Sequence, residues 1–158
     1  MHAIAPPPSS IDAALQAEYY HLQKTIEDFD GRALTIKAWS VTFGLVALVG
    51  AFASKAQMAF LFAAAGGAMF WLLEAFWKSF QLGYYARVEE IEAHFRRDPE
   101  KTLTTAHQIS TTWQVWWESE TWWVLARVGS WVHVALPHAF VVVAGVLCYF
   151  VVTFPVGR

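Results

Sequence analysis

The chain has 158 residues, enough for one domain of ordinary size. Hydrophobic residues make up 56% of it and the mean hydropathy is +0.35, above the roughly 45–50% apolar share of a soluble domain. The excess is gathered into long blocks between charged stretches, which is a membrane pattern. The formal net charge of −2 gives no basic face for nucleic acid, and the one cysteine, Cys148, excludes an internal disulfide and, lying in an apolar run, reads as a small buried hydrophobe.

Residues 1–10 hold Pro6, Pro7 and Pro8 with two serines and predict an extended or floppy tail. No positively charged region followed at once by an apolar one stands there, so the first apolar block is expected to remain as an anchor rather than be removed as a signal peptide. Ser9 or Ser10 can cap the next helix, with Asp12 favourable in its first turn. Over residues 11–30, Ile11, Leu15, Tyr19, Leu22, Ile26 and Phe29 recur in steps of four and three and mark one helix face, while Asp12, Glu18, Lys24, Glu27 and Asp28 occupy the other. This is an amphipathic helix too polar to span a bilayer. Asp28-Phe29-Asp30-Gly31 lacks the later ligands and the closing glutamate of a calcium loop, so Gly31 is read as the end of that helix.

Residues 34–77 predict a transmembrane hairpin. Leu34 to Ala53 and Met58 to Trp77 are each long enough at 1.5 Å per residue to cross a hydrocarbon core of ~30 Å, and only Ser54-Lys55-Ala56-Gln57 separates them. Lys37 stands one turn inside the first span, where its stem can snorkel. Residues 78–97 carry Lys78, Arg87, Glu89, Glu90 and Glu92, yet Phe80, Tyr84, Val88, Ile91 and Phe95 keep a helical stripe, so the second helix is expected to continue out of the membrane. That stripe can pair with Leu15, Leu22, Ile26 and Phe29 as a cytoplasmic antiparallel coiled coil. Asp98 reads as an N-cap with Pro99 at the first position of a new helix.

Residues 98–123 include Trp113, Trp116, Trp117, Trp122 and Trp123. On a helical wheel Trp113, Trp116, Trp117 and Trp123 share a broad face, although Glu120 falls near its middle and Trp122 opposite. Tryptophan prefers the membrane–water interface, so an in-plane interfacial helix anchored by these four is one reading. A helix packed on the protein's own bundle is the other. Residues 128–154 predict a third span, with Pro137 as a kink and His133 as a polar contact beside it. His133 and His138, five residues apart, do not share a helix face, and neither a metal site nor a cofactor is expected. Positive charge concentrates before the first span (Lys24, Arg32, Lys37) and between the second and third (Lys78, Arg87, Arg96, Arg97, Lys101, Arg127), which places the N-terminus in the cytoplasm and the C-terminus in the periplasm. The expected fold is all-α integral membrane, multi-pass, in a bacterial inner membrane.

Glu74 is the most telling polar group, since it follows an apolar run from Met58 to Leu73. A carboxylate at that depth is costly unless it is paired, protonated or facing water. Lys78 stands at i+4 in the favoured order, and Arg32 and Lys37 are further candidate partners. The cluster Glu74, Lys78 and Lys37 is thus either a paired charge at the inner boundary or part of an ion route. Small residues four apart, Ala47 with Ala51 and Ala63 with Gly67, suit close helix packing within the hairpin or between subunits. No phosphate loop, nucleophile elbow or zinc spacing occurs, and no enzyme is expected.

The helix from Glu18-Tyr19-Tyr20 to Asp28, the tight hairpin and the emerging Tyr84-Tyr85-Ala86-Arg87-Val88-Glu89-Glu90-Ile91-Glu92 resemble the SLATT-type bacterial membrane effectors over about residues 11–97. That resemblance implies a pore in cell-suicide or anti-phage systems. The Trp-rich segment and the third span depart from it, and Leu72-Leu73-Glu74-Ala75-Phe76-Trp77-Lys78 also resembles small bacterial inner-membrane proteins. The expected function is a homo-oligomeric pore or ion pathway. The alternative is an accessory or scaffold subunit of a larger membrane complex, with the lipid bilayer and a membrane protein as its partners.

Overall fold

A computed structural model describes residues 10–120 and 122–153. Most of the predicted 1–10 tail, Ser9 as a cap and the end of the predicted third span at residue 154 lie outside them. Among the described residues 85% are helical and none forms a strand. The helices are α1 (Ser10–Ser54), α2 (Gln57–Phe95), α3 (Ile109–Ser119), α4 (Trp123–Gly129) and α5 (Val132–Val151). Of these, α1, α2 and α5 are long and apolar enough to cross a membrane.

Both long helices stop by the same backbone device. Lys55 (φ 53°) and Arg97 (φ 60°) adopt the left-handed conformation. The next residue in each case returns a hydrogen bond to the last turn, Ala56 N–H to Ala51 O at 3.1 Å and Asp98 N–H to Ala93 O at 3.1 Å. This is a glycine-type stop made here without glycine. Gly31, by contrast, does not end a helix. It lies inside α1, and no glycine among the described residues has a positive φ. The predicted boundary near residue 30 is therefore corrected to one continuous helix.

The described residues divide into two compact units. The first combines 10–29 with 80–120. Leu15, Leu22 and Ile26 from α1 pack with Val88 and Ile91 from α2, and Tyr19, Tyr84, Leu103, Ala106 and Ile109 close around them. Phe95 stays half-exposed. No helix begins at Pro99. Residues 101–108 are irregular, and Asp98 Oδ1 accepts the Glu100 N–H at 3.1 Å as a turn. The Trp-rich segment is not one helix either: α3 ends at Ser119, Glu120 is extended, and α4 starts at Trp123.

The second unit combines 30–79 with 122–153. Three buried rows meet there at helical spacing: Ser40, Gly44, Leu48 and Ala51 on α1, Phe60, Ala63, Gly67 and Glu74 on α2, and Val134, His138, Val141 and Gly145 on α5. Contacts between α1 and α2 run in opposite order along the two helices, with Phe43 stacked on Phe70 (6.3 Å) and Phe52 edge-on to Phe60 (4.9 Å). The predicted third span starts later than residue 128, because a turn at Ser130 separates α4 from α5; Pro137 lies within α5.

Val141 is fully buried and sets how closely α5 approaches. A Cβ at Gly44 would lie 2.5 Å from its Cγ1, and one at Gly67 would lie 3.0 Å from the same atom. A Cβ at Gly31 would meet nothing within 4 Å. Gly44→Ala should therefore lower stability by about 1–3 kcal/mol through overpacking. Gly31→Ala should raise it by about 0.5–1 kcal/mol, since a helix-interior glycine carries an entropic penalty with no compensating contact. Thermal unfolding in detergent should show midpoint shifts of opposite sign.

Candidate functional site

The apolar rows of the second unit converge on one polar cluster. Glu74 on α2 has no exposed surface. Lys37 on α1 donates to its Oε1. His138 on α5 stands 2.8 Å from its Oε2 through Nε2, and the His138 Nδ1 stands 2.7 Å from Ser40 Oγ, one turn beyond Lys37 on α1. Ser40 and His138 are buried as completely as Glu74. A neutral imidazole with its proton on Nε2 satisfies the whole set: Nε2–H donates to the carboxylate, the serine hydroxyl donates to Nδ1, and Lys37 and Glu74 balance as one cation and one anion. Among the described residues no buried side-chain nitrogen or oxygen lacks a partner.

The cluster has two edges. Lys37 retains 18% of its side-chain exposure. At the other edge a crevice of about 150 Å³ opens beside Ser40, walled by Gly44 and Ala47 from α1 and by Ala63, Gly66 and Gly67 from α2.

The structure redistributes the residues singled out by sequence. Glu74 and Lys37 are brought together, while Lys78 pairs with Asp30 on α1. Its i+4 position satisfies sequence spacing, yet Glu74 points to α1 and α5. Arg32 lies over the Trp77 ring, 5.6 Å from its centroid. Ala51 and Ala63 are buried with Leu48 and Phe60, and Ala47 packs at the edge of that group. Trp113, Trp116 and Trp117 lie on α3, half-buried, and Trp113 donates to Phe80 O at 3.0 Å. Trp123 is not on that helix. It belongs to α4 in the other unit and is 79% exposed. His133 is exposed and leans on Trp131 (5.4 Å), whereas His138 enters the core. Sequence reasoning missed Ser40 and His138. For His138 the available signal was the one that exposed Glu74, an ionisable side chain within an apolar run; Ser40 carried none.

The first unit contains a second buried carboxylate, also missed. Glu18 accepts from Arg87 Nε (2.9 Å) and Nη2 (3.2 Å), from His107 N–H (2.7 Å) and from Gln108 N–H (3.2 Å). Arg87 also donates to Glu90 and to Thr105 O. Burial raises the Glu18 pKa, but the Arg87 hydrogen bonds, the two backbone donors and the Arg87 charge outweigh it, and the carboxyl is held below its ordinary value. Burial likewise opposes the charged form of Arg87, and Glu18 and Glu90 together hold that group above its ordinary value. Nearby, His94 Nδ1 accepts the Leu103 N–H at 3.0 Å while Nε2 faces Asp12 at 3.0 Å.

Among the described residues no group of three or more histidine, cysteine or acidic side chains is placed to hold a metal ion. No protein-family model, curated protein or solved structure matches the chain.

Glu74→Ala leaves Lys37 and His138 without their acceptor and should cost about 3–5 kcal/mol, the usual penalty for breaking a buried pair; the double variant Glu74→Leu with Lys37→Met should recover much of it. Thermal melts of the three proteins in one detergent test this. Because the Glu18 pKa is lowered in the folded state, its contribution is present above the unfolded glutamate value of ~4.3 and is lost as pH falls through the lowered folded value. Acid titration followed by Trp fluorescence should show unfolding of the first unit below about pH 4, and Glu18→Gln should flatten that dependence.

Proposed function

We propose that this protein is a multi-pass bacterial inner-membrane protein carrying a proton pathway through its second unit, with the first unit in the cytoplasm. The membrane assignment draws on α1, α2 and α5, whose apolar windows are only 22–33% buried and leave residues such as Val49, Met69 and Val132 open to lipid. Residues 34–77 then form a transmembrane hairpin, and α5 returns to the periplasmic side. The distribution of lysine and arginine orients it with the N-terminus inside.

The observation that carries the function is the hydrogen-bonded run Lys37–Glu74–His138–Ser40, which leads from a partly exposed lysine to the crevice between α1 and α2. Ionisable groups inside a span are costly, and those that occur commonly pair with one another or line ion and proton routes. A histidine bridging a carboxylate and a hydroxyl can accept a proton at one nitrogen and release it at the other. In this reading the route lies within one chain, and homo-oligomers would carry one route per subunit. The SLATT-like layout is compatible with membrane permeation of this kind.

Reconstituted vesicles with an internal pH dye and an imposed potassium diffusion potential test the proposal. Proton uptake is expected from the unaltered protein and should fall at least tenfold for Glu74→Gln and His138→Phe in vesicles of equal protein content. No uptake above empty vesicles would refute it. A second reading, an accessory subunit of a larger complex, is favoured by Trp122 and Trp123, which are 83% and 79% exposed side by side. Mild-detergent purification distinguishes it through a stoichiometric membrane-protein partner.

A further inference from the structure

The first unit contains a pocket beside its core and apart from its buried ion pair. Two i, i+4 rows on α3, Ile109–Trp113–Trp117 and Ser110–Gln114–Glu118, form one wall, and Tyr84 on α2 forms the other, enclosing about 550 Å³. The Trp113 and Trp117 indoles lie parallel, 5.5 Å apart and tilted by 6°. They are held in place from behind: Phe80 packs 5.0 Å from Trp117, Trp113 Nε1–H is tied to Phe80 O, and Gly83 leaves the gap that Trp113 fills. The rings are therefore held in place before any ligand arrives, and the Trp113 indole N–H is already taken by Phe80 O.

Glu118 stands at the rim with one oxygen accepting from Gln114 Nε2 at 2.9 Å. Among the described residues no cation pairs with it, whereas Glu18, Glu74, Glu90 and Glu92 each face a lysine or an arginine. No lysine or arginine lines the pocket. Stacked aromatic faces beside an uncompensated carboxylate suit one chemical class. A cation with an alkylated or alkyl-bearing nitrogen gains from the ring quadrupoles and from the charge, and loses less hydration than a metal ion would. We propose that this pocket binds an organic ammonium cation over Trp113 and Trp117, with Glu118 as its counter-ion. A free amine and the headgroup of an ethanolamine lipid share that chemistry.

Calorimetric titration of the full chain in detergent with tetramethylammonium chloride, using sodium chloride as the reference, tests the inference. Saturable binding in the millimolar range is expected. It should weaken at least fivefold for Glu118→Gln, a rim change that does not touch the core, and be lost for Trp117→Leu with helicity unchanged. Repeating the titration in nanodiscs separates the sources. Binding suppressed by phosphatidylethanolamine but retained in phosphatidylglycerol identifies the lipid headgroup, and equal binding in both identifies a free amine. Heats indistinguishable from sodium chloride, or binding indifferent to Glu118→Gln and Trp117→Leu, would overturn it.

Discussion

A carboxylate with no exposed surface has to be met by donors from whatever surrounds it, and for Glu74 the surroundings are two other helices. Removing such an ion from water costs several kcal/mol even after relaxation. The three-helix unit is therefore acceptable only in arrangements that bring Lys37 and His138 to the two carboxylate oxygens together. In the proposed membrane setting, apolar helices gain little from hydrophobic contact with one another and can rotate or slide at small cost. The polar cluster removes that freedom. It fixes the rotation of α1 through Lys37 and Ser40, and the rotation of α5 through both ring nitrogens of His138. The close approach of Val141 to Gly44 and Gly67 then follows farther along the same faces, one turn on in α1 and α5 and two turns on in α2.

The same device occurs in the first unit with different parts. Glu18 on α1 meets Arg87 on α2, and the third segment again supplies donors, here the backbone N–H groups of His107 and Gln108. Arg87 presents a planar fork that holds both oxygens, so the pair is rigid in a way a lysine pair is not. His107 adopts φ 61° to aim its N–H at the carboxylate. The local strain of that left-handed residue is offset by a charge-assisted hydrogen bond. Irregular backbone over 98–108 is thus ordered by acceptors on the helices, Glu18 and His94, rather than by a ladder of its own.

Three apolar helices were legible in the sequence because length and hydropathy are local properties. Glu74 was legible for the same reason. Its partners were not, because sequence spacing offers Lys78 at i+4, while Lys37 and His138 lie 37 and 64 residues away and reach it only after the helices pack. Gly31 and Pro99 misled for a shared cause. Each residue type permits a boundary without requiring one, and α1 passes through Gly31 while the chain after Arg97 is claimed by Glu18 and His94 before a helix can start at Pro99. The Trp segment divided because its face conflicts with itself: Glu120 falls among the tryptophans, and the chain extends there, sending Trp123 into a separate helix.

A cluster of this kind can clamp helices or move protons, and the two roles make different demands on its members. A clamp needs only complementary charge, which Lys37 and Glu74 already supply. His138 and Ser40 extend the hydrogen bonds away from that pair toward the crevice, so the residues that fix the rotation of α1 and α5 also complete the run that the proposed pathway uses. The lysine also constrains what could travel. A sodium or potassium ion arriving at Glu74 would meet a carboxylate already neutralised by an ammonium and would have to displace it, at the cost of an uncompensated buried charge. A proton needs no coordination shell, and one entering at one end of the hydrogen-bonded run is matched by one leaving at the other, so the cluster's net charge is unchanged once the transfer is complete. The proposed pathway is for this reason a proton pathway, and the lysine that would exclude other cations is compatible with it.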